Sequence, residues 1–264
     1  EKHVGQPLER VEDAALLTGR GRYADDVAVR AGTLHGAILR SPHAHAEIVS
    51  IDTSAALERP GVVAVLTGED IQKLTDPFIM VLKLPLDQWS LAVDRVRFMG
   101  ESVVLVVAED RYKAEDALEF IEVTYNPLSA AVDPEAAAVD GAPLVHEAAG
   151  TNLVSVRDFT YGDPDAAFAA AEHTVELTIS YPRNSQTPLE CFVVVAEHLA
   201  ESGTYDVLAN FQGPYTVHPV MALALRVQGT GLRIRTPRDS GGGFGVKQAI
   251  FPYVVLMAAA SKVV

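Results

Sequence analysis

The glycine-rich loop Ser240–Lys247, with the sequence SGGGFGVK, is the strongest chemical signal in the chain. Consecutive glycines permit backbone conformations that a Cβ atom forbids, or let another group approach the backbone closely. Exposed amides in such a loop, followed by a helix predicted over residues 248–260, would form a cradle for an anion. A plain glycine turn is the alternative interpretation. The loop does not match two known phosphate-binding patterns. The dinucleotide pattern GxGxxG needs glycine at position 246, which is valine, and the P-loop pattern needs serine or threonine at position 248, which is glutamine.

The second candidate is Gln212, in the segment Phe211–Pro214 at the end of a predicted strand. A glutamine at a strand end can extend its amide into a cleft, where it offers both a hydrogen-bond donor and an acceptor. Most glutamines at strand ends are solvated or structural. Gln212 alone therefore does not indicate a site.

Other residue types that could do chemistry favour structural interpretations. His43 and His45 have the spacing that would place both on one face of a strand, but no triad of carboxylates or cysteines accompanies them. Cys191 is the single cysteine, so it forms no intrachain disulfide, and we interpret it as a small buried hydrophobic residue. The sequence marks out no pair of acidic residues as acid and base, and we interpret them mostly as solvated surface.

Composition limits the class of protein. The 264 residues are 48% hydrophobic and 21% charged, which is typical of a globular chain with a real core. The net charge of -14 argues against nucleic acid or an anionic membrane surface as the main partner, because both select clustered cations. No apolar run approaches the roughly 20 residues that span a bilayer. With one cysteine, a reducing compartment is expected.

Short strands and helices alternate in the first half of the chain. Apolar runs bounded by turn residues predict strands at 33–39, 47–52, 62–67, 102–108 and 122–125. Helices are predicted at 54–57, from residue 68 onward and at 112–121, the last with one apolar face. Residues 102–125 therefore predict a strand–helix–strand unit, with its first strand buried on both faces.

A change in composition after Asn126 indicates a linker. Residues 127–152 are rich in alanine, proline, glycine and aspartate and show little periodicity. Beyond them, strands are predicted at 175–181, 192–198, 205–211 and 232–236, with helices at 164–172 and 217–225.

Many short motifs occur in one order along nearly the whole chain. They include Arg40–Ala46 (RSPHAHA), Pro60–Gly68 (PGVVAVLTG), Pro188–Glu190 (PLE), Gln212–Pro214 (QGP) and Gly241–Lys247 (GGFG within GGGFGVK). In this ordered series the chain resembles the molybdenum-binding large subunit of the xanthine dehydrogenase and aldehyde oxidase family. Within that family it looks most like the bacterial carbon-monoxide-dehydrogenase-type large subunits.

The resemblance implies an α+β fold in two parts. Residues 1–135 would form an a/b hammerhead domain, residues 136–150 a linker, and residues 151–264 the first part of a molybdenum cofactor-binding domain. The family's general-base glutamate and substrate loop would lie beyond Val264. We therefore expect no catalytic residue in this segment and no turnover from it alone.

The resemblance also implies the site. The implied cofactor-binding residues are Gln212, Gly213, Gly242, Gly243, Phe244 and Gly245. Gln212 would lie beside the metal and hydrogen-bond an oxo ligand, with Phe244 next to it, and the amides of Gly243, Phe244 and Gly245 would approach the molybdenum and the pterin dithiolene. Gln248 would lie near the substrate, where many purine hydroxylases carry glutamate.

The implied reaction is oxidative hydroxylation of a small organic substrate, such as an aldehyde, an N-heterocycle or a CO-like molecule, with water as the oxygen source. The cofactor would be molybdenum–molybdopterin, and the resemblance leaves open whether it is the cytosine dinucleotide form. [2Fe–2S] clusters and FAD would be carried by an iron–sulfur small subunit and an FAD-binding medium subunit. With the remainder of the large subunit, these would form a cytoplasmic dimer of heterotrimers.

Two other functions stay open from the residues. The chain could be a non-catalytic module for subunit assembly, in which case Gln212 and Phe244 would be dispensable for activity. It could also be a phosphate- or nucleotide-binding domain that uses the glycine loop.

Overall fold

The computed structural model describes residues 3–79, 86, 88–182 and 184–264. Helices and strands are mixed along these ranges, as expected for an α+β chain. The strands are β1 His35–Arg40, β2 Ala46–Asp52, β3 Val62–Leu66, β4 Arg95–Val96, β5 Ser102–Ala108, β6 Glu122–Pro127, β7 Val194–Leu199, β8 Thr204–Ala209 and β9 Leu232–Arg235. The α-helices are α1 Asp13–Leu16, α2 Ser54–Leu57, α3 Gly68–Leu74, α4 Arg111–Ala117, α5 Pro134–Ala137, α6 Pro164–Ala170, α7 His218–Ala224 and α8 Phe251–Ser261.

The first sheet has β5 at its centre, with β1 and β3 antiparallel on either side. All seven residues of β5 are buried. Its sequence, SVVLVVA, is apolar on both faces, which a strand covered on both sides requires. The interpretation of this run as a fully buried strand is confirmed.

The second sheet has the order β4–β2–β6 and is antiparallel. Helix α4 lies between β5 and β6 in the chain, begins with Asp110 accepting a hydrogen bond from the amide of Lys113, and buries Ala114 and Ala117. The predicted strand, helix and strand all form. However, β6 pairs with β2 rather than with β5, so the two strands of the unit belong to different sheets.

The third sheet, β7–β8–β9, carries the candidate site residues at its ends. Strands β7 and β8 are antiparallel, whereas β8 and β9 are parallel and connected through helix α7. The segment 210–214 leaves the end of β8, and the glycine loop follows β9. Because the carboxyl ends of parallel neighbours meet at one edge of a sheet, these two segments emerge side by side.

Helix α8 packs against both halves of the chain. Val254, Val255 and Ala258 belong to the apolar cluster around the third sheet. Leu256, Ala259 and Ala260 belong instead to a cluster around the first sheet. A helix that is apolar on nearly all sides is suited to such a buried position.

One predicted strand is wrong. Residues 175–181 alternate in polarity, yet in the structure they are exposed and form no strand. A strand needs the backbone of a neighbour to complete its hydrogen bonds. No described residue pairs with this segment, and the alternation therefore reflects local sequence only.

The region between the two halves contains short ordered elements as well as turns. Helix α5 lies at its start, and the side chain of Asn152 bonds to Ala137 O at 3.0 Å and to Pro143 O at 2.9 Å. Glu147 forms an ion pair with Arg95 of the second sheet at 3.0 Å. Residues 136–150 are thus attached to the surface of the first half.

Candidate functional site

The glycine loop reverses direction through backbone conformations that favour glycine. Gly242 has φ +103° and Gly245 has φ +93°, and Phe244 between them has φ +49° despite its side chain. The loop leads into a 3₁₀ helix, Val246–Ile250, which continues as α8. The predicted helix is therefore present, although its first turns are 3₁₀ rather than α.

The structure brings Gln212 and the glycine loop into direct contact. The backbone amide of Gly245 donates to the side-chain oxygen Oε1 of Gln212 at 2.7 Å. The backbone amide of Gln212 in turn donates to Lys247 O at 3.3 Å. A Cβ atom on Gly243 would lie 2.5 Å from Gln212 Oε1. Gln212 is exposed, so the paired segments face open space rather than an apolar interior.

Several donors at this site have no partner. Gln212 Oε1 already accepts a hydrogen bond from Gly245 N. Its Nε2 group donates to no described residue and is therefore the end of the side-chain amide that is free to bind a ligand. The amides of Gly242, Gly243 and Phe244 likewise donate to no atom in the described ranges. A set of donors without acceptors suits an anionic or oxo-bearing group. The amide of Gly245 differs from the expectation, because it is used to orient Gln212.

The remaining predicted site residues surround this contact. Gly213 has φ +65° and allows the turn after Gln212. Phe244 is 67% exposed, and its ring approaches Gly242. Gln248 is half-buried in the 3₁₀ helix, where its amide donates to Gly245 O at 3.0 Å.

A buried ion pair, missed by the sequence interpretation, lies behind the loop. Lys247 Nζ donates to Glu190 Oε2 at 2.5 Å, and the two side chains are 1% and 12% exposed. Glu190 also accepts from the amides of Gly241 at 2.9 Å and Ala24 at 3.1 Å. Burial raises the pKa of Glu190, but the hydrogen bonds from Lys247, Gly241 and Ala24 outweigh it and hold the pKa below its ordinary value.

Asn210 explains how Glu190 reaches this position. The Asn210 side chain is buried, donates to Cys191 O at 2.7 Å and accepts from Val193 N at 3.0 Å. It therefore fixes the segment after Glu190 beside the end of β8. The interpretation of acidic residues as solvated surface is wrong for Glu190. The sequence signal that could have found the pair is a lone lysine inside an otherwise uncharged loop.

The other candidates do not form a site. The ring of His43 packs edge-on against Tyr125 at 4.9 Å, and His45 Nδ1 lies 2.9 Å from Ser129 O. These two residues lie in the connection between β1 and β2 rather than on a strand, and among the described residues no group of three or more potential ligands could hold a metal. Cys191 is exposed, which contradicts its interpretation as buried, because the neighbouring Glu190 takes the inward position.

Two family models match the chain. The a/b hammerhead domain of aldehyde oxidase and xanthine dehydrogenase matches residues 18–129. The molybdopterin cofactor-binding domain matches residues 145–264, which include the whole glycine loop and Gln212. These two matches agree with the two-part α+β architecture.

No helix in the described ranges combines the length and apolar character needed to cross a bilayer.

Individual relatives agree with the family models. The chain is 37% identical to the nicotine 6-hydroxylase large subunit of Paenarthrobacter nicotinovorans, over 98% of this chain and 32% of the relative. It is 36% identical to the carbon monoxide dehydrogenase large chain of Afipia carboxidovorans, over 98% of this chain and 33% of the relative. The chain thus spans about a third of the length of the curated relatives it matches.

The fold also matches a solved structure. The crystal structure of quinoline 2-oxidoreductase from Pseudomonas putida 86 superimposes with a TM-score of 0.87 at 35% sequence identity. The match covers 100% of this chain and 34% of that chain. The overall fold of this chain is therefore one that a known oxidoreductase also has.

Proposed function

Because the chain belongs to the aldehyde oxidase and xanthine dehydrogenase family, we propose that it is part of the molybdenum-binding large subunit of a molybdenum hydroxylase. The enzyme would oxidise a small organic substrate with water as the oxygen source. An aldehyde, an N-heterocycle or a CO-like molecule fits the range of relatives. Residues 1–135 would form the hammerhead domain, residues 136–150 the linker and residues 151–264 the start of the cofactor-binding domain.

The observation that carries this proposal is the hydrogen bond from Gly245 N to Gln212 Oε1. It orients the side-chain amide so that Nε2 is left to donate outward. Together with the unpaired amides of Gly242, Gly243 and Phe244, it creates a group of fixed donors. Fixed donors stabilise negative charge without reorganising during the reaction, which is what an oxo-bearing metal group demands.

Each residue of the site has a definite task under this proposal. When bound, the molybdenum–pterin group supplies the two-electron chemistry that protein side chains lack. Gln212 would donate a hydrogen bond to that group, and the glycine-loop amides would hold it close to the backbone. Phe244 would cover one side of it and exclude water. Gln248 would lie on the substrate side, where its side-chain amide could donate or accept.

We extend the proposal to the assembly. An iron–sulfur small subunit with [2Fe–2S] clusters, an FAD-binding medium subunit and the remainder of the large subunit would form a cytoplasmic dimer of heterotrimers. The pterin would be of the plain or the cytosine dinucleotide form. The names of the relatives as large subunits or large chains support a multi-subunit complex.

The experiment is to purify the full-length large subunit with its partners and to measure molybdenum, pterin and oxidation of candidate substrates. We expect both cofactor components in the wild-type complex. Gln212→Ala removes one donor and should lower kcat about 100-fold. Gln228→Ala, at an exposed glutamine outside the loop, is the matched control and should leave kcat unchanged.

Two results would reject the proposal in different ways. A wild-type complex without molybdenum or pterin would remove it altogether. A molybdenum-loaded complex in which Gln212→Ala and Phe244→Ala are both fully active would favour the assembly-module alternative.

A further inference from the structure

The buried pair of Glu190 and Lys247 is not explained by stability alone. Lys247 is 1% exposed, and no other charged side chain in the described ranges is as deeply buried. Removing two charges from water costs several kcal/mol per ion, and a well-packed apolar pair is often as stable or more so. A buried ion pair in such a place therefore indicates a role in positioning.

The contacts of Glu190 show what the pair positions. Its carboxylate binds Gly241 N at the start of the glycine loop and Lys247 Nζ at the end of it. Both ends of the loop are thus attached to one side chain. The five residues between them include Phe244, whose φ of +49° is a conformation that needs outside support.

The same pair connects the loop to its surroundings. Glu190 Oε1 accepts from Ala24 N, which belongs to the N-terminal segment of the chain. Gln212 N donates to Lys247 O, so a shift of Lys247 would also move the glutamine. One ion pair therefore fixes the positions of the loop, Gln212 and the N-terminal segment relative to one another.

Charge gives the pair a second consequence. A lone carboxylate behind the unpaired amides would make the potential at the loop more negative and oppose binding of an anionic group. The ammonium of Lys247 cancels that charge at a distance of one hydrogen bond. The donors of the loop can then act with their full positive polarity.

We propose that Glu190 and Lys247 are positioning residues, which hold the glycine-loop amides and the Gln212 amide toward the bound oxo-metal group and cancel each other's charge behind it. The inference rests on the proposed function. It adds to that function two residues that do not themselves touch the cofactor.

The test uses the full-length large subunit in its complex, with the variants Glu190→Gln, Lys247→Met and the double variant. The first readout is hydrogen exchange of peptides that span residues 240–248, which does not depend on activity. Each single variant leaves one buried charge unpaired, and we expect exchange about tenfold faster or more. Unchanged exchange in both single variants would overturn the positioning role.

The second readout is the midpoint potential of molybdenum, followed by electron paramagnetic resonance. Lys247→Met leaves a negative charge and should lower the potential, whereas Glu190→Gln leaves a positive charge and should raise it. The double variant is neutral and should return to the wild-type potential while its loop still exchanges faster. Shifts of the same sign in both single variants, or no shift in either, would overturn the charge-cancelling role.

Arg226→Ala is the matched control, because it removes a hydrogen-bonded charged side chain whose partners, Asp76 and Lys73, lie outside the loop. It should lower the unfolding temperature without changing loop exchange or the potential. If either single variant fails to fold, the double variant and the charge-preserving Lys247→Arg keep the test decisive. A wild-type complex without molybdenum would refute the proposed function, while hydrogen exchange would still test the positioning of the loop.

Discussion

The two ends of the Gln212 side-chain amide have different roles. Its oxygen accepts from Gly245 N at 2.7 Å, so its nitrogen is the end that remains for a ligand. The oxygen lies so close to Gly243 that a Cβ atom there would be 2.5 Å away. Glycine at 243 is therefore required by the side chain of Gln212 and not by an unusual φ of its own.

Gly243→Ala should separate function from stability. The atom that the new methyl meets is the end of a flexible side chain, so Gln212 can move and the fold should survive, with an unfolding temperature within about 2 °C of wild type. The displaced amide should lower kcat of the assembled enzyme about 100-fold. Gly229→Ala is the control, since its methyl would meet only His218 Cε1 at 3.9 Å. A fully active Gly243→Ala enzyme would contradict the placement of Gln212.

At the scale of elements, helix α3 is fixed at both ends by side chains. At its start, Asp70 accepts from the amide and the hydroxyl of Thr67, both at 3.0 Å, which is a capping box. At its end, Arg226 donates to the carbonyl of Lys73 at 2.7 Å and to that of Gln72 at 3.1 Å. Arg226 follows α7, so its contacts attach the second half of the chain to a helix of the first.

The Asp70 cap should produce a pH-dependent stability. Burial raises the pKa of Asp70, but hydrogen bonds from Thr67 and Lys73 outweigh it, so the folded-state pKa is below the ordinary value. The stabilisation is therefore present above the unfolded pKa of about 3.9 and is lost as pH falls through the folded pKa. In urea titrations, Asp70→Asn should be less stable than wild type at pH 7, and the difference should shrink in acid. Asp116→Asn, at an exposed aspartate of α4, should show no such trend.

Arg226→Ala should lower the free energy of unfolding by about 1–3 kcal/mol, because the carbonyls at the end of α3 lose charged donors. Arg226→Lys should recover little, since a lysine cannot present several N–H groups in one plane. Chemical denaturation measures both. Arg157→Ala, at an exposed arginine, should stay within about 0.5 kcal/mol of wild type. If Arg226→Ala left the free energy of unfolding unchanged, the contacts of Arg226 with the end of α3 would not contribute to stability.

At the scale of the whole molecule, the two halves share apolar clusters. Helix α8 adds Leu256 to the cluster of the first sheet and Val255 to that of the third. In the other direction, Phe78 of the first half lies in the third-sheet cluster with its ring edge-on to Phe251 at 4.9 Å. The glycine loop directly precedes α8, so these shared clusters also anchor the site.

Leu256→Ala should test that coupling. Leu256 is fully buried, and truncating it should lower the free energy of unfolding by about 2–5 kcal/mol. Because this side chain of the second half packs in the apolar cluster of the first sheet, calorimetry should show one transition that moves as a whole. Leu223→Ala, at a leucine that is 55% exposed on α7, is the control and should change stability little. Two transitions, of which only one moves, would contradict the shared packing.

The elements of this chain were largely predictable from local patterns. The apolar run of β5, the one-sided helix α4 and the polar start of α3 each depend on neighbours a few residues apart, which periodicity records directly. The glycine loop and Gln212 were also identified as candidates, because unusual residue types stand out without any knowledge of their surroundings.

Partnership between distant residues was decided only by the tertiary structure. The sequence by itself determined that residues 240–247 form a glycine loop, and it predicted Gln212 at the end of a strand, whereas β8 ends three residues earlier at Ala209. Folding decided that Gln212 Oε1 accepts from Gly245, that Glu190 pairs with Lys247, that β6 joins β2, and that residues 175–181 have no strand partner among the described residues. The physical reason is that strand pairing and burial of charge depend on groups far apart in sequence, whose meeting no local pattern encodes.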